Sequence, residues 1–511
     1  MSLTALVSLA PAWLIAHGAA WIVVAPLVGA PVAALLSGGR AAWAFTVFVT
    51  GFAFLTALVL QGVVQDQGLV SYALGGWLAP VGIEYRVDAA SGLVLMLVTG
   101  IGFACAFAGL PSVTAEIAPR QRALFYSAFL VCFAGLVGVV ITGDAFNMFV
   151  FLEISSLSTY VLIAMGAGRD RRALTAAYDY LILGTIGATF FVIGVGFLYA
   201  ATGSLNMADI AQRLEGQTGS ATVQAGFAFI VVGLGLKTAL FPLHTWLPSA
   251  YAYAPSFITA FLAATATKAA FYALARFLFS VFNPEYDFEA LAFTLVLAPF
   301  AAVAMVVCSA QAIFQEDARK LLAYSSVAQV GYMLLGLSMA NAEGAAAGLL
   351  HLFNHALMKG ALFLAISAVS LRYGATLVKD FRGVGQTMPL TMAGFVIAGL
   401  SLIGVPLTAG FVSKWYLLEA ALAKGWSWAV GVIAVSSFMA AVYVWRIVET
   451  AYLRPAPAQT PAPMAARPPW PLLAGLGVLV LANIAFGVDA GAPRAWAQAA
   501  AEALFNGAVA P

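Results

Sequence analysis

Runs of about twenty apolar residues recur along the whole chain, and a helix of that length crosses the hydrocarbon core of a bilayer. The spans this pattern predicts cover residues 18–37, 42–63, 88–109, 121–140, 144–166, 173–201, 225–253, 256–281, 290–313, 319–339, 343–372, 389–423, 427–450 and 470–488. Two of these fourteen are expected to be broken, the seventh at Pro242 and the twelfth at Gly404 and Pro406, because proline removes a backbone donor and clashes with the preceding turn. Between the second and third spans, Val70, Tyr72 and Leu74 alternate with polar or small residues ahead of Gly75-Gly76, which predicts an exposed β-hairpin over Val70–Arg86. The Pro- and Ala-rich stretch Arg454–Pro471 is expected to be an extended inner loop. Gly491–Phe505 is expected to lie along the outer interface.

Composition narrows the class. Hydrophobic residues make up 63% of the 511 and charged residues only 9%, which excludes a soluble globular domain. A β-barrel would show short alternating runs instead, so the chain reads as an all-α polytopic membrane protein. Cys105, Cys132 and Cys308 all fall in apolar runs without ligand spacing and read as buried thiols. No Lys or Arg precedes Arg40, so Met1–Leu14 lacks a basic signal-peptide region and is expected to be retained. The absence of a P-loop counts against ATP drive, and the absence of a C-x-x-C-H or Cys-rich cluster counts against haem or iron–sulfur ligation. No covalent chemistry, cofactor, metal or nucleic-acid partner is expected of this chain.

The charges then set an orientation. With the N-terminus outside, fourteen basic residues fall on the inner side: Arg40, Arg120, Arg122, Arg169, Arg171, Arg172, Arg319, Lys320, Arg372, Lys379, Arg382, Arg446, Arg454 and Arg467. Arg86, Arg213, Lys424 and Arg494 alone fall outside. This bias predicts that both termini are outside. Five basic residues remain within helices: Lys237, Lys268, Arg276, Lys359 and Lys414.

A lysine at the centre of a membrane helix costs roughly 2.5–3.5 kcal/mol, so residues of this kind point to function. Glu153 lies nine residues beyond Asp144, about 13 Å along a helix, and is either a protonated packing carboxylate bonded to Ser156 or Thr159, or the partner of Lys237. Lys268 is too far from either end of its span to snorkel easily. His351, His355 and Lys359 recur at spacing four and share a helix face, as a hydrated proton wire or as packing histidines; the lysine disfavours a metal. Lys414 follows the second break as a relay station or an anchor, and His244 beside the first break caps freed backbone groups or gates. His17, Arg276, Asp179 and Glu419 read as interfacial. Interrupted helices in corresponding positions of two halves mark ion sites in repeat-built transporters. They suggest two inverted five-helix repeats, residues 121–281 and 290–450, preceded by residues 1–120 and followed by residues 451–511.

The stretches F-P-L-H-T-W-L-P-S-A-Y (Phe241–Tyr251) and A-P-S-F-I-T-A-F-L-A-A-T-A-T-K-A-A-F-Y-A-L-A-R (Ala254–Arg276) resemble the signature of the antiporter-like subunits of respiratory complex I, membrane-bound hydrogenases and Mrp-type Na⁺/H⁺ antiporters. The resemblance runs from about Tyr72 to Arg446 and implies fourteen core helices with a charged axis at mid-membrane. It places the fifth-helix glutamate at Glu153, the broken-helix lysine at Lys237, the eighth-helix lysine at Lys268 and the twelfth-helix ionisable residue at Lys414. H-L-F-N-H-A-L-M-K-G-A-L-F-L (His351–Leu364) is similar to the eleventh-helix motif of several members. Family members often carry an acid or histidine after H-T-W-L-P, where this chain has Ser249 and Tyr251. Lysine rather than glutamate at position 414 is less like the middle pump subunit of complex I, and Asn147–Ala164 resembles the Mrp D subunit. The resemblance therefore implies a proton-translocating subunit of a multisubunit Na⁺/H⁺ antiporter in the bacterial inner membrane. The alternative is a pumping subunit of a redox-driven complex, with other membrane subunits as partners in either case.

Overall fold

The computed structural model describes residues 3–217, 219–282, 292–374, 376–455 and 469–506. The expected Pro-rich loop falls almost wholly on residues 456–468, outside the described residues. In chain order the helices are α1 (Leu3–Leu9), α2 (Ala12–Leu35), α3 (Gly39–Gln67), α4 (Ala89–Ala108), α5 (Leu110–Glu116), α6 (Arg122–Ile141), α7 (Ala145–Ala164) and α8 (Arg172–Thr202). They continue as α9 (Met207–Leu214), α10 (Ala221–Thr238), α11 (Trp246–Tyr253), α12 (Ser256–Arg276), α13 (Ala298–Phe314), α14 (Ala318–Ser338) and α15 (Ala342–Tyr373). The last are α16 (Val384–Thr387), α17 (Pro389–Ile403), α18 (Ala409–Ala423), α19 (Ser427–Tyr452), α20 (Trp470–Val488) and α21 (Gly491–Asn506). Among the described residues, thirteen helices are long and apolar enough to cross a membrane, and the shorter Pro389–Ile403 is also apolar.

Short polar side chains begin these helices. Asp88 and Ser91 form a reciprocal capping box at α4, and Asp144, Asp317 and Asn341 accept backbone N–H bonds at the starts of α7, α14 and α15, each satisfying a donor the helix itself leaves free. Hydroxyls inside the spans bond back along their own helix, as Thr46, Thr99 and Thr265 do to carbonyls four residues earlier, which keeps them satisfied away from water.

The predicted seventh span divides in the structure into α10 and α11, joined by residues 239–245, where Ala239 takes φ 60°. The predicted twelfth divides into α17 and α18, with Gly404 at φ 94°. Gly410 at the start of α18 lets the two pieces meet: its N–H donates to Ser401 Oγ at 3.0 Å, and a Cβ there would run into the Ser401 carbonyl oxygen. Gly410→Ala is expected to destabilise the protein by about 1–3 kcal/mol through overpacking, read as a lowered melting temperature in detergent.

Strands β1 (Val70–Ala73) and β2 (Glu84–Val87) pair antiparallel, with Val70 opposite Val87 and Ala73 opposite Glu84. The hairpin is less exposed than its sequence suggests. Glu84 and Tyr85 are buried because β2 lies on the α6–α7 junction, where Gly143 N donates to Glu84 O at 2.9 Å and Tyr85 bridges to Thr142. α21 packs one face on α15 and α4 and buries Pro493, Ala497, Ala500, Ala501 and Leu504, a row of mostly small side chains that permits close helix approach.

Helix α15 is the centre of the bundle. Every residue from Ala347 to Ser370 is buried, and α12, α14, α17, α18, α20 and α21 pack around it. By contrast α8 and α19 are peripheral and expose Tyr178, Ile182, Phe438 and Trp445.

Candidate functional site

Lys237 occupies the last turn of α10, where free carbonyls favour a cation. Its ammonium lies 3.7 Å from Glu153 Oε1 and donates to Ser156 Oγ at 2.6 Å, one turn along α7 from the glutamate. Gly187 of α8 lets α8 and α10 approach closely beside the lysine, since a Cβ there would sit 3.0 Å from Leu236 Cβ and 3.1 Å from Gly233 O. The glutamate is only partly enclosed: its side chain keeps 25% exposure, against 7% for the lysine. It sits on the outward side of α7 beside exposed Val150 and Leu157, while its Oε1 atom faces inward without a hydrogen bond.

The break beyond Lys237 is closed by Trp246, whose Nε1 donates to Leu236 O at 3.0 Å. His244 stacks on Phe241 with centroids 5.3 Å apart and places Nε2 3.9 Å from Cys308 Sγ. The Leu236 carbonyl, which also accepts from Ala239 N at 3.2 Å, is thus tied to the indole across the break.

A second group surrounds α15. Lys268, fully buried on α12, donates to the Ala263 carbonyl and to Thr267 Oγ1 at 3.2 Å. His351 has both ring nitrogens engaged, with Ser413 Oγ and with Gln329 Oε1, each at 2.9 Å. His355 stacks parallel to it, centroids 6.2 Å apart and planes 6° from parallel, and both its nitrogens are buried without a partner. Lys359 donates to Leu322 O at 2.8 Å and to Ser325 Oγ. Lys414 takes the carbonyls that end α17, Leu402 O at 3.0 Å and Ile403 O at 2.9 Å, together with Ser437 Oγ at 3.0 Å. It also lies 4.7 Å over the Tyr332 ring, a geometry that attracts a cation. Lys268 is near enough to act electrostatically on His351, His355 and Lys359.

These cations are held by carbonyls and hydroxyls; among the described residues, Lys237 alone of these lysines and histidines faces a carboxylate. Neutral acceptors can be bonded by the ammonium or by the neutral amine, whereas a carboxylate favours the charged form. The structure therefore brings Lys268, His351, His355, Lys359 and Lys414 into one group and sets Glu153 with Lys237 in another; His244 joins neither by a polar contact.

Two basic residues that read from the sequence as interfacial or loop-side lie inside. Arg276 is 6% exposed, bonded to Asp88 Oδ1 at 2.7 Å and to Tyr272 Oη at 2.8 Å. Arg319 is 2% exposed and spans the bundle from Ser256 Oγ at 2.6 Å to Ser370 Oγ at 3.3 Å. Counting charges along the chain places a residue near a helix end but does not reveal a partner far away in sequence. The supporting side chains Gln329, Tyr332, Ser413 and Ser437 are likewise missed by sequence reasoning, though polar groups inside apolar spans are the available signal.

The family described as NADH:quinone oxidoreductase/Mrp antiporter, TM, matches residues 142–440. The chain belongs to it. It is 45% identical over 464 residues to NADH-quinone oxidoreductase subunit N of Desulforudis audaxviator (strain MP104C), covering 88% of this chain and 91% of the relative. It is 33% identical over 380 residues to the D subunit of the Na(+)/H(+) antiporter of Alkalihalophilus pseudofirmus, covering 73% and 75%. A chain of the membrane-bound sulfane sulfur reductase (MBS), an archaeal respiratory membrane complex, superposes with TM-score 0.87 at 32% identity over 96% of this chain and 98% of that one.

Proposed function

We propose that this chain is the proton-translocating subunit of a multisubunit membrane complex driven by a redox partner. The observation that carries the reading is the buried group of Lys268, His355, Lys359 and Lys414, whose side chains are solvated by neutral partners or by none. Groups of this kind are expensive to keep in an apolar bundle unless their protonation changes during work. In this reading a change in the charge of the Glu153–Lys237 pair shifts a proton through Lys268 and the histidines toward Lys414. His244 stands at the break as a gate. Residues 121–281 and 290–450 act as two inverted repeats between residues 1–120 and 451–511, with both termini outside the bacterial inner membrane.

Redox drive is favoured over Na⁺/H⁺ antiport by the higher identity and coverage of the quinone oxidoreductase relative, 45% against 33%. The antiporter reading, with Na⁺ as the exchanged cation, draws on the likeness to the antiporter relative. Purification of the native complex through a tag on this chain separates the two. Flavin or iron–sulfur absorbance in the co-purifying subunits is the expected result. A complex lacking both, in which added Na⁺ collapses an imposed pH gradient, would establish the antiporter reading instead.

A further inference from the structure

Asn483 is the one residue of α20 that carries a side-chain amide, hydroxyl or charge, and it is fully buried. A polar side chain inside an apolar span is costly unless it is bonded and put to use. Its Nδ2 donates to Leu479 O of its own helix at 2.9 Å. Its Oδ1 accepts from Ser401 Oγ of α17 at 3.0 Å, and that hydroxyl in turn accepts from Gly410 N of α18 at 3.0 Å. Three helices thus meet at one serine. Gly487, one turn beyond Asn483, lets α20 come this close, since a Cβ there would run into the Thr408 backbone of the break.

The serine adjoins the Lys414 site from both sides of the break. Ser401 immediately precedes Leu402 and Ile403, whose carbonyls hold the Lys414 ammonium, and Gly410 lies one turn before Lys414 on α18. With Ser437 Oγ those carbonyls make three acceptors, one for each N–H bond of an ammonium. Their distance from Nζ depends on how α17 meets α18. By taking the Ser401 proton, Asn483 leaves an oxygen lone pair facing Gly410 N and so fixes that meeting. Without the amide, a helix hydroxyl turns back to the carbonyl four residues earlier, here Ile397, as Thr46 and Thr99 do to theirs.

We infer that Asn483 is a positioning residue for Lys414, holding through Ser401 and Gly410 the helix break whose carbonyls bind the lysine. It lies outside residues 290–450, so the second break is braced by a helix beyond the segment that contains it, whereas the first is closed by Trp246 beside it. Among the described residues, the ionisable groups that face Lys414 from neighbouring helices are Tyr332 of α14, with its ring 4.7 Å from Nζ, and His351 and His355 of α15, within electrostatic reach. Neither α17 nor α20 has an ionisable residue, and on α19 the nearest to Ser437 along the chain is Tyr443. On α18 itself Tyr416 faces Arg494 and Glu419 accepts from Trp415 Nε1 at 2.8 Å.

The inference rests on the proposed proton-translocating function, so the test carries a control for that reading. Proton flux per assembled complex is measured in vesicles across a range of pH, alongside melting temperature. Asn483→Leu, nearly isosteric, and Ser401→Ala are each expected to shift the pH profile of flux toward acid, because looser acceptors favour an ammonium less. The shift should be about half a unit or more, the scale of one weakened neutral hydrogen bond. The double variant should shift it no further than the larger single shift, since both cut one chain of bonds. A profile that is unshifted or moved toward alkali in both single variants, while Lys414→Ala lacks flux, would overturn the positioning role and leave the function standing. A lowered melting temperature with the wild-type profile would likewise overturn it, marking Asn483 as glue between helices. Normal flux in Lys414→Ala would overturn the passage of protons through Lys414 and this inference with it. Should Asn483→Leu fail to assemble, Ser401→Ala alone decides.

Discussion

Lys237→Ala is expected to reduce proton translocation by the assembled complex at least about tenfold while leaving assembly intact. Removing one member of a buried ion pair strands the other, at about 3–5 kcal/mol when both are enclosed. Here Glu153 keeps partial contact with its surroundings, so screening moves the cost toward the lower end of that range or below it. What remains decides the outcome. Glu153 Oε1 has no hydrogen bond of its own, and without the ammonium the carboxylate loses the cation it faces. Glu153→Gln should have a smaller effect, because Lys237 still has Ser156 Oγ at 2.6 Å. The double variant should match Lys237→Ala alone, since the pair acts as a unit. Flux in reconstituted vesicles, scaled to complex content, reads all three. Near-normal flux in a properly assembled double variant would sink the proposed role of the pair.

The second large effect is on stability. Arg276→Leu is expected to destabilise the fold by roughly 3–5 kcal/mol, the cost of leaving a buried partner charge uncompensated, read as a lower melting temperature. Asp88 would be that stranded charge. It is 6% exposed and holds the start of α4 by accepting from Ala90 N and Ser91 N, both at 3.0 Å. Burial alone would raise its carboxyl affinity for protons, but Arg276 more than reverses this and keeps it below the usual carboxylate range. The sign follows from linkage: a carboxyl with a depressed folded-state value contributes stability that is fully present above its unfolded value of about 3.9. That contribution is lost as pH falls through the lower folded value. Wild-type melting should therefore show no pH dependence from this pair between about pH 6 and 8 and a loss in strong acid. Asp88→Asn should flatten that acid limb. A wild-type melting temperature in Arg276→Leu would show that the pair is dispensable.

How much of this is legible in the sequence depends on the range of the interaction involved. Helix positions are, because apolar runs and caps are local: the predicted span 343–372 and the observed Ala342–Tyr373 differ by a residue at each end. So is the candidacy of Lys237, Lys268 and Lys414, since a lysine inside an apolar run stands out wherever its partner lies. Partners are not legible. Arg276 reads as interfacial until α4 brings Asp88 to it across 188 residues, and Arg319 reads as loop-side until Ser256 and Ser370 converge on it. Glu153 shows a related limit: its place along the chain offers Lys237 as a partner, and the two do meet, but it cannot show that helical rotation leaves part of the side chain on the outside of α7.

Helix α15 has a consequence for how the protein can move. A rod gripped on every side can neither spin about its axis nor slide without unpacking six neighbours at once, since interiors are close-packed and resist deformation. His351, His355 and Lys359 are therefore fixed posts whose backbone spacing does not change during a cycle. What travels must be light: a proton, a turning imidazole, a rotating hydroxyl. Turnover set by such steps should slow in heavy water and be insensitive to agents that stiffen the surrounding bilayer, whereas a rocking bundle would respond in the reverse manner.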